Sequence, residues 1–228
     1  MPLLRFADHI PDALHNAIRN APHVRRWLDH TATRFDLHEV LIRDVGLFGE
    51  RVGFVFLEAD VRHEGKRIPK YAFLRGDAAA ALIVLHCEGE PDRTLLTCEP
   101  RLPIAYPNFL SLPAGMLDGG EFASTMLREL GEEIGADLPV KADDLIELTR
   151  YWPSPGGCDE AVAVFYAELD VSPELIAKLD NRATGNAAEH ENIRVRVVKL
   201  DDLPHIGMTD AKTLLGYHLY KARKAALA

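Results

Sequence analysis

Apolar residues recur along the chain in two rhythms, and each rhythm predicts a different type of structure. Between residues 10 and 29 they stand at helical spacing, and Pro11 suits the beginning of a helix. Three runs with strand character follow, covering residues 38–48, 50–61 and 66–76. These runs predict a small antiparallel sheet in the N-terminal part of the chain.

From Gly76 onward the strand-like runs become more apolar and are separated by helical segments. The predicted strands have the sequences AAAALIVLH, RTLLTC, DLIELTRYW, EAVAVFYAEL and NIRVRVVKL. One helix is predicted from about Glu121 to Ile134, and an amphipathic helix is predicted over TDAKTLLGYHLYKARKAAL. Strands interleaved with helices are typical of a mixed sheet that helices cover. We therefore expect an α/β fold in two parts, residues 1–75 and residues 76–228.

Composition and charge narrow the classes of function. Of the 228 residues, 47% are hydrophobic and 27% are charged, which is ordinary for a globular protein. The net charge of -9 argues against partners such as nucleic acid or an anionic membrane. The three cysteines form no CxxC pair, so neither a disulfide framework nor a zinc site is expected. With no signal peptide and no apolar stretch of about 18 residues, we expect a cytoplasmic protein.

The helix predicted from about Glu121 carries three further carboxylates within about one turn. Residues three and four apart are neighbours on a helix, so Glu129, Glu132 and Glu133 share a face. These carboxylates repel one another unless a cation lies between them, and hard oxygens at this spacing suit Mg2+ or Mn2+. A solvated acidic face with a salt bridge to Arg128 is the alternative interpretation of these residues taken alone.

The residues around this cluster follow a longer spaced pattern. The Nudix signature is G-x5-E-x7-R-E-U-x-E-E-x-G-U, in which U is a bulky aliphatic residue. The positions that match it here are Gly115, Glu121, Arg128, Glu129, Leu130, Glu132, Glu133 and Gly135. The chain departs from it twice, because only six residues separate Glu121 from Arg128 and because Ala136 stands at the last position. With so many spaced matches, the chain resembles the Nudix hydrolases.

A wider resemblance covers about residues 40–220. The chain is similar to the ADP-sugar diphosphatases of plants and to animal UDP-glucose diphosphatases, within the ADP-ribose pyrophosphatase group. The segments that carry it are VLIRDVGLFGERVGF, FLRGDAAAALIVL, the R-L-P at Arg101 to Pro103, LPAGML, PSPGGCDE, ENIRVRVV and TDAKTLLGYHLY. The resemblance implies a Nudix fold, a mixed β-sheet sandwiched between helices, preceded by a small antiparallel N-terminal β subdomain.

The resemblance also implies a set of metal ligands. Glu129 and Glu133 would ligate Mg2+, and Glu132 would join them directly or through water. The backbone carbonyl of Ala114, in LPAG, would be a further ligand. Metal bound there would neutralise phosphate charge and lower the pKa of an attacking water.

A general base must come from residues other than these ligands. In related pyrophosphatases it lies in a loop before the last core strand, here AAEHENIRV, which implies Glu191 first and Glu189 second. Glu160, at the end of PSPGGCDE, is a third candidate, and Gly156 and Gly157 beside it offer main-chain amides to a phosphate. A solvated charged turn and an ordinary Pro-Gly turn are the alternatives for these two segments.

Other residues are expected to bind substrate or to support the site. Arg101 resembles an arginine that contacts substrate in this group, and Arg51 is a candidate for stacking on the nucleobase. Arg128 would tie the Gly-rich loop to the helix, and Gly115 and Glu121 would likewise be structural.

The expected function is Mg2+-dependent hydrolysis of a nucleoside diphosphate sugar to a nucleoside monophosphate and a sugar phosphate. ADP-glucose and ADP-ribose are the favoured substrates. The alternatives are the same reaction on UDP-glucose or GDP-mannose, and a catalytically silent ADP-ribose-binding module. Because N-terminal strands of related enzymes exchange across a two-fold dimer, we also expect a homodimer.

Overall fold

The computed structural model describes residues 2–117, 119–135, 138–185, 192–206 and 210–227. The chain forms two compact units. The first unit comprises Met1–Asp77 and Trp152–Ala161, and the second comprises Ala78–Tyr151 and Val162–Ala228. The patterns in the sequence divided the chain once, at residue 75. They therefore did not predict that Trp152–Ala161 belongs to the first unit.

The described residues contain five α-helices. They are α1 (Asp12–Asn20), α2 (Pro22–Arg34), α3 (Phe122–Glu129), α4 (Pro173–Leu179) and α5 (Ala211–Leu227). The single helix predicted over residues 10–29 is divided at Ala21, whose ψ of 129° is extended. Pro22 explains the break, because proline disfavours the helical conformation of the preceding residue and suits the first position of a new helix.

Thirteen strands lie in the described residues. They are β1 (Leu3–Phe6), β2 (Asp36–Phe48), β3 (Arg51–His63), β4 (Lys66–Arg67), β5 (Tyr71–Leu74), β6 (Ala78–His86), β7 (Arg93–Arg101), β8 (Tyr106–Ser111), β9 (Ala114–Met116), β10 (Ile146–Tyr151), β11 (Val162–Asp170), β12 (Ala183–Thr184) and β13 (Ile193–Lys199). The run predicted over 66–76 is split, with Pro69 between β4 and β5, because proline cannot donate to a sheet ladder. Patterns in the sequence did not predict β1, β8, β9, β12 or α4, which are too short to show a clear period.

The sheet of the first unit has the order β1-β2-β3-β4, with β5 also paired to β3. It is antiparallel except for β1, which runs parallel to β2. Alternate residues of β3, such as Val55 and Leu57, form one core cluster with Ile18 of α1 and Val24 of α2. Helices therefore cover one face of this sheet.

The opposite face of that sheet, called the open face below, carries aromatic rings. Its residues are Phe48, Phe54, Phe56, Tyr71 and Phe73. Phe56 and Phe73 lie opposite each other on β3 and β5, and Phe56 stacks on Tyr71 with ring centroids 5.6 Å apart. Phe56 is 41% exposed and Tyr71 is 52% exposed, so this apolar surface is open to solvent.

The sheet of the second unit has the order β10-β11-β6-β7-β13-β12, with β8 on β7 and β9 on β6. It is mixed, because β6 and β11 are parallel while the other pairs are antiparallel. Successive residues of β6 face opposite cores: Ile83 lies with Met126 of α3, whereas Leu82 lies with Tyr220 of α5. Helices thus cover both faces, and the predicted α/β fold with a smaller preceding sheet is confirmed.

Among the described helices, none combines the length and the apolar character that spanning a bilayer requires.

Candidate active site

The helix that carries the glutamates changes its hydrogen-bonding pattern part of the way along. The α-helix predicted to Ile134 ends at Glu129, and Leu130–Ile134 form a π-helical turn. The N–H of Gly135 donates to the carbonyl of Leu130 at 3.0 Å, which is the i to i+5 bond of such a turn. Gly135 has a φ of 114°, a conformation that glycine adopts without strain. Turns of this kind are frequent at functional sites, so the segment is a candidate site.

Glu129, the last residue of α3, is only 8% exposed. A Cβ atom on Gly115 of β9 would overlap the Glu129 carboxylate, so glycine is required there by the close approach of the acid. Arg128 Nη2 donates to Glu129 Oε1 at 2.6 Å. The short strand β9 and α3 are thereby fitted to each other at this carboxylate.

Glu133, in the π-helical turn, is 4% exposed. Its Oε2 atom accepts the backbone N–H of Ala114 at 3.0 Å. Glu129 and Glu133 therefore meet adjacent residues of the same strand, one at Gly115 and the other at Ala114. The structure thus brings together four residues that the sequence analysis named: Glu129, Glu133, Ala114 and Gly115.

Glu132 is the outer member of the predicted cluster, with a side chain 39% exposed. Arg128 Nη1 donates to Glu132 Oε2 at 3.0 Å. The other end of the same guanidinium reaches the carbonyl of Met116 in β9 at 3.5 Å. Arg128 thus spans two of the glutamates and the strand that they face. Glu121 lies at the exposed N-terminal boundary of α3, where its carbonyl accepts the N–H of Thr125 at 3.0 Å.

Residues of β12 and its flanks close the far end of the π-helical turn. Thr184 Oγ1 donates to the carbonyl of Glu133 at 2.5 Å, and the N–H of Gly185 donates to the carbonyl of Glu132 at 3.4 Å. The space beside Gly135 is filled by the Arg182 guanidinium. Carbonyl groups at the end of a helix have no hydrogen-bond donors within the helix. Thr184 and Gly185 provide donors for two of them. Sequence reasoning missed Thr184, because its bond joins positions 51 residues apart and has no local signal.

The donor atoms of this site fit a hard divalent cation by their chemistry. Two buried carboxylates and a half-exposed third supply oxygen atoms, the ligand type that Mg2+ and Mn2+ prefer. Within the described ranges, no three His, Cys, Asp or Glu side chains already converge as a metal site. In this arrangement Arg128 and the Ala114 N–H satisfy the carboxylate oxygens instead. Burial of two acids beside one arginine favours the binding of additional positive charge.

The first unit contains the segment Trp152–Ala161, in which three site residues were predicted. Arg75 Nη1 lies 3.3 Å from Glu160 Oε1, and the Glu160 side chain is 14% exposed. The N–H of Gly157 donates to the carbonyl of Ser154 at 3.1 Å, so it serves a turn. Next to Gly156 the space that a side chain would occupy is open. Glu160 is therefore paired with a cation inside its own unit.

Asp159, which precedes Glu160, anchors this segment. Its Oδ1 atom accepts the backbone N–H groups of Arg75 at 2.8 Å and Gly76 at 3.2 Å. Arg26 of α2 donates to Asp159 Oδ2 at 3.4 Å and also pairs with Asp77. Two acids and one arginine thus fix the conformation of the segment that presents Glu160. The sequence marked neither Arg26 nor Asp159, because only the fold brings them together.

The two predicted substrate arginines belong to different units. Arg101, at the end of β7, has a side chain 41% exposed, and its Nη2 atom donates to Glu99 Oε1 at 2.6 Å. In the first unit, Arg51 lies over the Phe48 ring, with 5.5 Å from its guanidinium carbon to the ring centroid. Residues 186–191, with the predicted bases Glu189 and Glu191, lie outside the described part of the chain.

Comparisons with known proteins show which family the chain resembles. The chain is 39% identical over 198 residues to Nudix hydrolase 14, chloroplastic, of Arabidopsis thaliana, an overlap that covers 81% of this chain. The overlap spans only 62% of the length of that plant relative. The chain is also 29% identical over 197 residues to the ADP-ribose pyrophosphatase of Bacillus subtilis. This overlap covers 84% of the chain and 97% of the relative.

A solved structure supports the fold. The crystal structure of an ADP compounds hydrolase superposes with a TM-score of 0.57, covering 86% of this chain and 96% of that one. Its sequence identity is 14%, so the likeness concerns the fold alone. The family model of the NUDIX domain matches residues 75–215, which include α3, the π-helical turn and β9. The chain therefore belongs to the Nudix family of hydrolases, as its spaced glutamates and glycines predicted.

Proposed function

We propose that this protein hydrolyses the pyrophosphate bond of a nucleoside diphosphate sugar in the presence of Mg2+. ADP-ribose and ADP-glucose are the favoured substrates. The observation that carries the proposal is the pair of buried acids, Glu129 and Glu133, held against Gly115 and Ala114 of one short strand. The name of one relative, the ADP-ribose pyrophosphatase of Bacillus subtilis, supports the substrate class.

In the proposed reaction, one water molecule adds across the pyrophosphate, and one P–O bond breaks. The products are a nucleoside monophosphate and a sugar phosphate. Bound Mg2+, or Mn2+ in its place, supplies positive charge to the phosphates and lowers the pKa of the attacking water. Glu129, Glu133, Glu132 and the carbonyl of Ala114 would hold it. Arg128 keeps the glutamates and β9 in register through its contacts with Glu129, Glu132 and Met116.

The proton of the attacking water needs an acceptor outside the metal ligands. We assign this role to Glu191, with Glu189 second and Glu160 third. Glu160 ranks last on the structure as well, because Arg75 lies 3.3 Å from its carboxylate and already occupies that oxygen. A base should act in the transition state and contribute little to substrate binding.

Substrate binding is assigned to the arginines and the glycine-rich segment. Arg101 is half-exposed and offers guanidinium N–H groups to a phosphate, after exchange of its bond with Glu99. Gly156 has open space beside it, so that backbone can approach a phosphate closely. Gly157 contributes less, since its N–H is used within the turn. Arg51, stacked on Phe48, is assigned to the nucleobase.

The test is a panel of nucleoside diphosphate sugars incubated with the purified protein. ADP-ribose, ADP-glucose, UDP-glucose and GDP-mannose are each supplied with Mg2+, and release of nucleoside monophosphate is measured. We expect turnover of the ADP-sugars that stops when EDTA removes the metal. Faster turnover of UDP-glucose or GDP-mannose would keep the reaction and change the substrate.

A catalytically silent ADP-ribose-binding module is the competing function. It would bind ADP-ribose in calorimetry and yet release no AMP from any member of the panel. Two buried carboxylates disfavour it, because burying acids that have no catalytic use costs stability. Binding without turnover in the presence of Mg2+ or Mn2+ would establish this competitor.

We further propose a homodimer built on the first unit. Its support is the open face, since Phe56 and Tyr71 leave a contiguous apolar surface exposed, and such surfaces mark interaction sites. A cyclic dimer, the commonest oligomer, would bury the same surface on both copies. Light scattering tests this, and an active monomer would refute it.

For the cellular location we propose a reducing compartment, with the cytoplasm first. All three cysteines, Cys87, Cys98 and Cys158, are free thiols. Burial raises the pKa of the Cys158 thiol, which makes it less reactive. The plant relative is named as chloroplastic, so localisation of a tagged full-length protein decides between compartments.

A further inference from the structure

The chain that leads to Ala114 and Gly115, the residues that meet Glu133 and Glu129, changes its partner strand within two residues. β8, which ends at Ser111, pairs with β7, whereas β9, which begins at Ala114, pairs with β6. Leu112 and Pro113 make the crossing and belong to no strand. Pro113 has its carbonyl bound by the N–H of Ala81 at 3.1 Å, but the fully buried Leu112 has no ladder partner for its N–H. A buried N–H without an acceptor is costly, so the crossing needs one from elsewhere.

Helix α5 supplies that acceptor. The N–H of Leu112 donates to Thr213 Oγ1 at 3.1 Å, and Thr213 is 1% exposed. The Thr213 hydroxyl in turn donates to Asp210 Oδ2 at 2.7 Å. A hydroxyl has a single proton, so its donation to Asp210 leaves a lone pair for Leu112. The two bonds form a relay from the start of α5 to the crossing.

Asp210 is itself held in place. Its Oδ1 atom accepts the N–H of Lys212 at 2.9 Å, and the Lys212 ammonium lies 3.1 Å from the same oxygen. The carbonyl of Asp210 accepts the N–H of Leu214 at 3.3 Å, so Asp210 caps the N-terminus of α5. Both carboxylate oxygens are therefore used, one for the cap and one for the relay.

One turn farther along, α5 approaches the same segment closely. A Cβ atom on Gly216 would lie 3.0 Å from the Leu112 side chain, 3.5 Å from Val164 and 3.7 Å from Leu82. Glycine therefore allows the helix to touch Leu112 from a second side. Helix α5 fixes Leu112 both through its N–H and through its side chain.

We propose that Asp210 and Thr213 are positioning residues for the acidic site. By fixing Leu112, they set the place of Ala114 two residues later, whose N–H binds Glu133 at 3.0 Å. This inference rests on the proposed Mg2+ site at Glu129 and Glu133. It gives Asp210 and the first turn of α5 a part in positioning the acidic site, although neither Asp210 nor Thr213 is assigned to the substrate.

The central experiment replaces Thr213 by Val, which keeps the shape and removes both hydrogen bonds of the relay. Calorimetric titration with Mg2+ alone, well below the melting temperature, should give a dissociation constant raised about tenfold. With ADP-ribose, kcat should fall by a similar factor. Thr213→Ser retains the hydroxyl and should restore both values. A purely structural threonine would lower the melting temperature and leave the Mg2+ affinity of the folded protein unchanged.

The matched control is Thr94→Val, in the same unit. Thr94 is fully buried on β7, and its hydroxyl makes no hydrogen bond within the described residues. This exchange should leave Mg2+ affinity and turnover at the wild-type values. Asp210→Ala should weaken Mg2+ binding less than Thr213→Val does. The double variant should bind Mg2+ with the same affinity as Thr213→Val, because both residues act through one bond to Leu112.

Two further arms decide the matter if Thr213→Val does not fold or if the wild type binds no Mg2+. Gly216→Ala pushes on Leu112 without removing a hydrogen bond, and it should also weaken Mg2+ binding. Amide hydrogen exchange at Ala114, measured without metal, should be faster in Gly216→Ala and in Asp210→Ala than in Thr94→Val, and Thr213→Ser should match Thr94→Val. Folded variants with unchanged Mg2+ affinity, or unchanged exchange at Ala114 where metal does not bind, would overturn the inference. Absence of Mg2+ binding by the wild type would defeat the proposed function separately.

Discussion

The sheets of the two units differ in the number of faces that helices cover. In the second unit α3 and α5 lie on opposite faces of one mixed sheet, and β6 contributes side chains to both cores. In the first unit α1 and α2 cover one face, and the aromatic open face remains exposed. A covered sheet and a partly uncovered sheet suit different functions.

A sheet that is covered on both faces can hold acids in fixed, buried positions, as it does for Glu129 and Glu133. A sheet with an uncovered apolar face instead has surface left to bury against another molecule. We therefore assign the proposed metal site to the second unit and assembly to the first. The following substitutions each change one of the two units, and each is followed by the measurement that its expected effect requires.

The largest effect is expected at the buried acids. Glu129→Gln or Glu133→Gln should lower kcat by about a hundredfold or more, because an amide lacks the charge that holds the metal. The fold and the oligomeric state should not change. Steady-state kinetics at saturating Mg2+ measures the loss, and Glu147→Gln, at a half-exposed position on β10, is the control. Near-native turnover in either variant would refute the ligand assignment.

The next effect concerns the base. Glu191→Gln should lower kcat by at least about tenfold, roughly 1.4 kcal/mol of barrier, and leave KM and Mg2+ affinity nearly unchanged. Glu189→Gln should have a smaller effect. A reversed ranking would make Glu189 the base. If neither exchange reaches tenfold, the base lies elsewhere, and Glu160 is the next residue to test.

A smaller effect is expected from charging the open face. Phe56→Glu should raise the dimer dissociation constant at least about fivefold, close to 1 kcal/mol, because two copies would bury acids against aromatic rings. Analytical ultracentrifugation across a concentration series measures the change. Phe35→Glu is the control, since Phe35 is 38% exposed but lies outside the open face. Equal dissociation constants for the two variants would remove the open face from the interface.

The smallest effect concerns His86, which helps to hold α5 over one face of the second sheet. Burial alone lowers its pKa, but hydrogen bonds with Asp92 and Glu168 outweigh burial and raise the pKa above 6.5. Glu168 also accepts hydrogen bonds from Tyr220 and Lys224 of α5. A raised folded pKa adds stability below 6.5 that disappears as the pH rises through the raised value.

His86→Gln should therefore reduce the free energy of unfolding below pH 6.5. The reduction should be less than about 1 kcal/mol, because the side chain is partly exposed. Above the raised pKa the variant and the wild type should converge. Urea denaturation over a pH series measures the difference. A constant difference at all pH values would mean that packing, not charge, accounts for the effect.

The sequence predicted what local patterns encode. Alternation in β3 and the continuous apolar run of β6 gave both sheets, and the spacing of Glu129 and Glu133 gave the acidic site. It missed what depends on residues far apart, such as the bond from Thr213 to Leu112, which joins positions 101 residues apart. It also missed the π-helical turn, because the same residues fit a regular helix until the contacts of Thr184 are known.

The close approach of Glu129 to Gly115 also has a use in classifying sequences. Any side chain at position 115 would collide with the carboxylate and with the carbon that precedes it, so even a shorter acid at 129 gives no relief. In a chain with this fold and alanine at that position, the acid must move away from residue 115. Under the proposed ligand assignment, we expect such a chain to keep the fold and lose turnover, so the residue at position 115 is a criterion for choosing which related sequences to assay first.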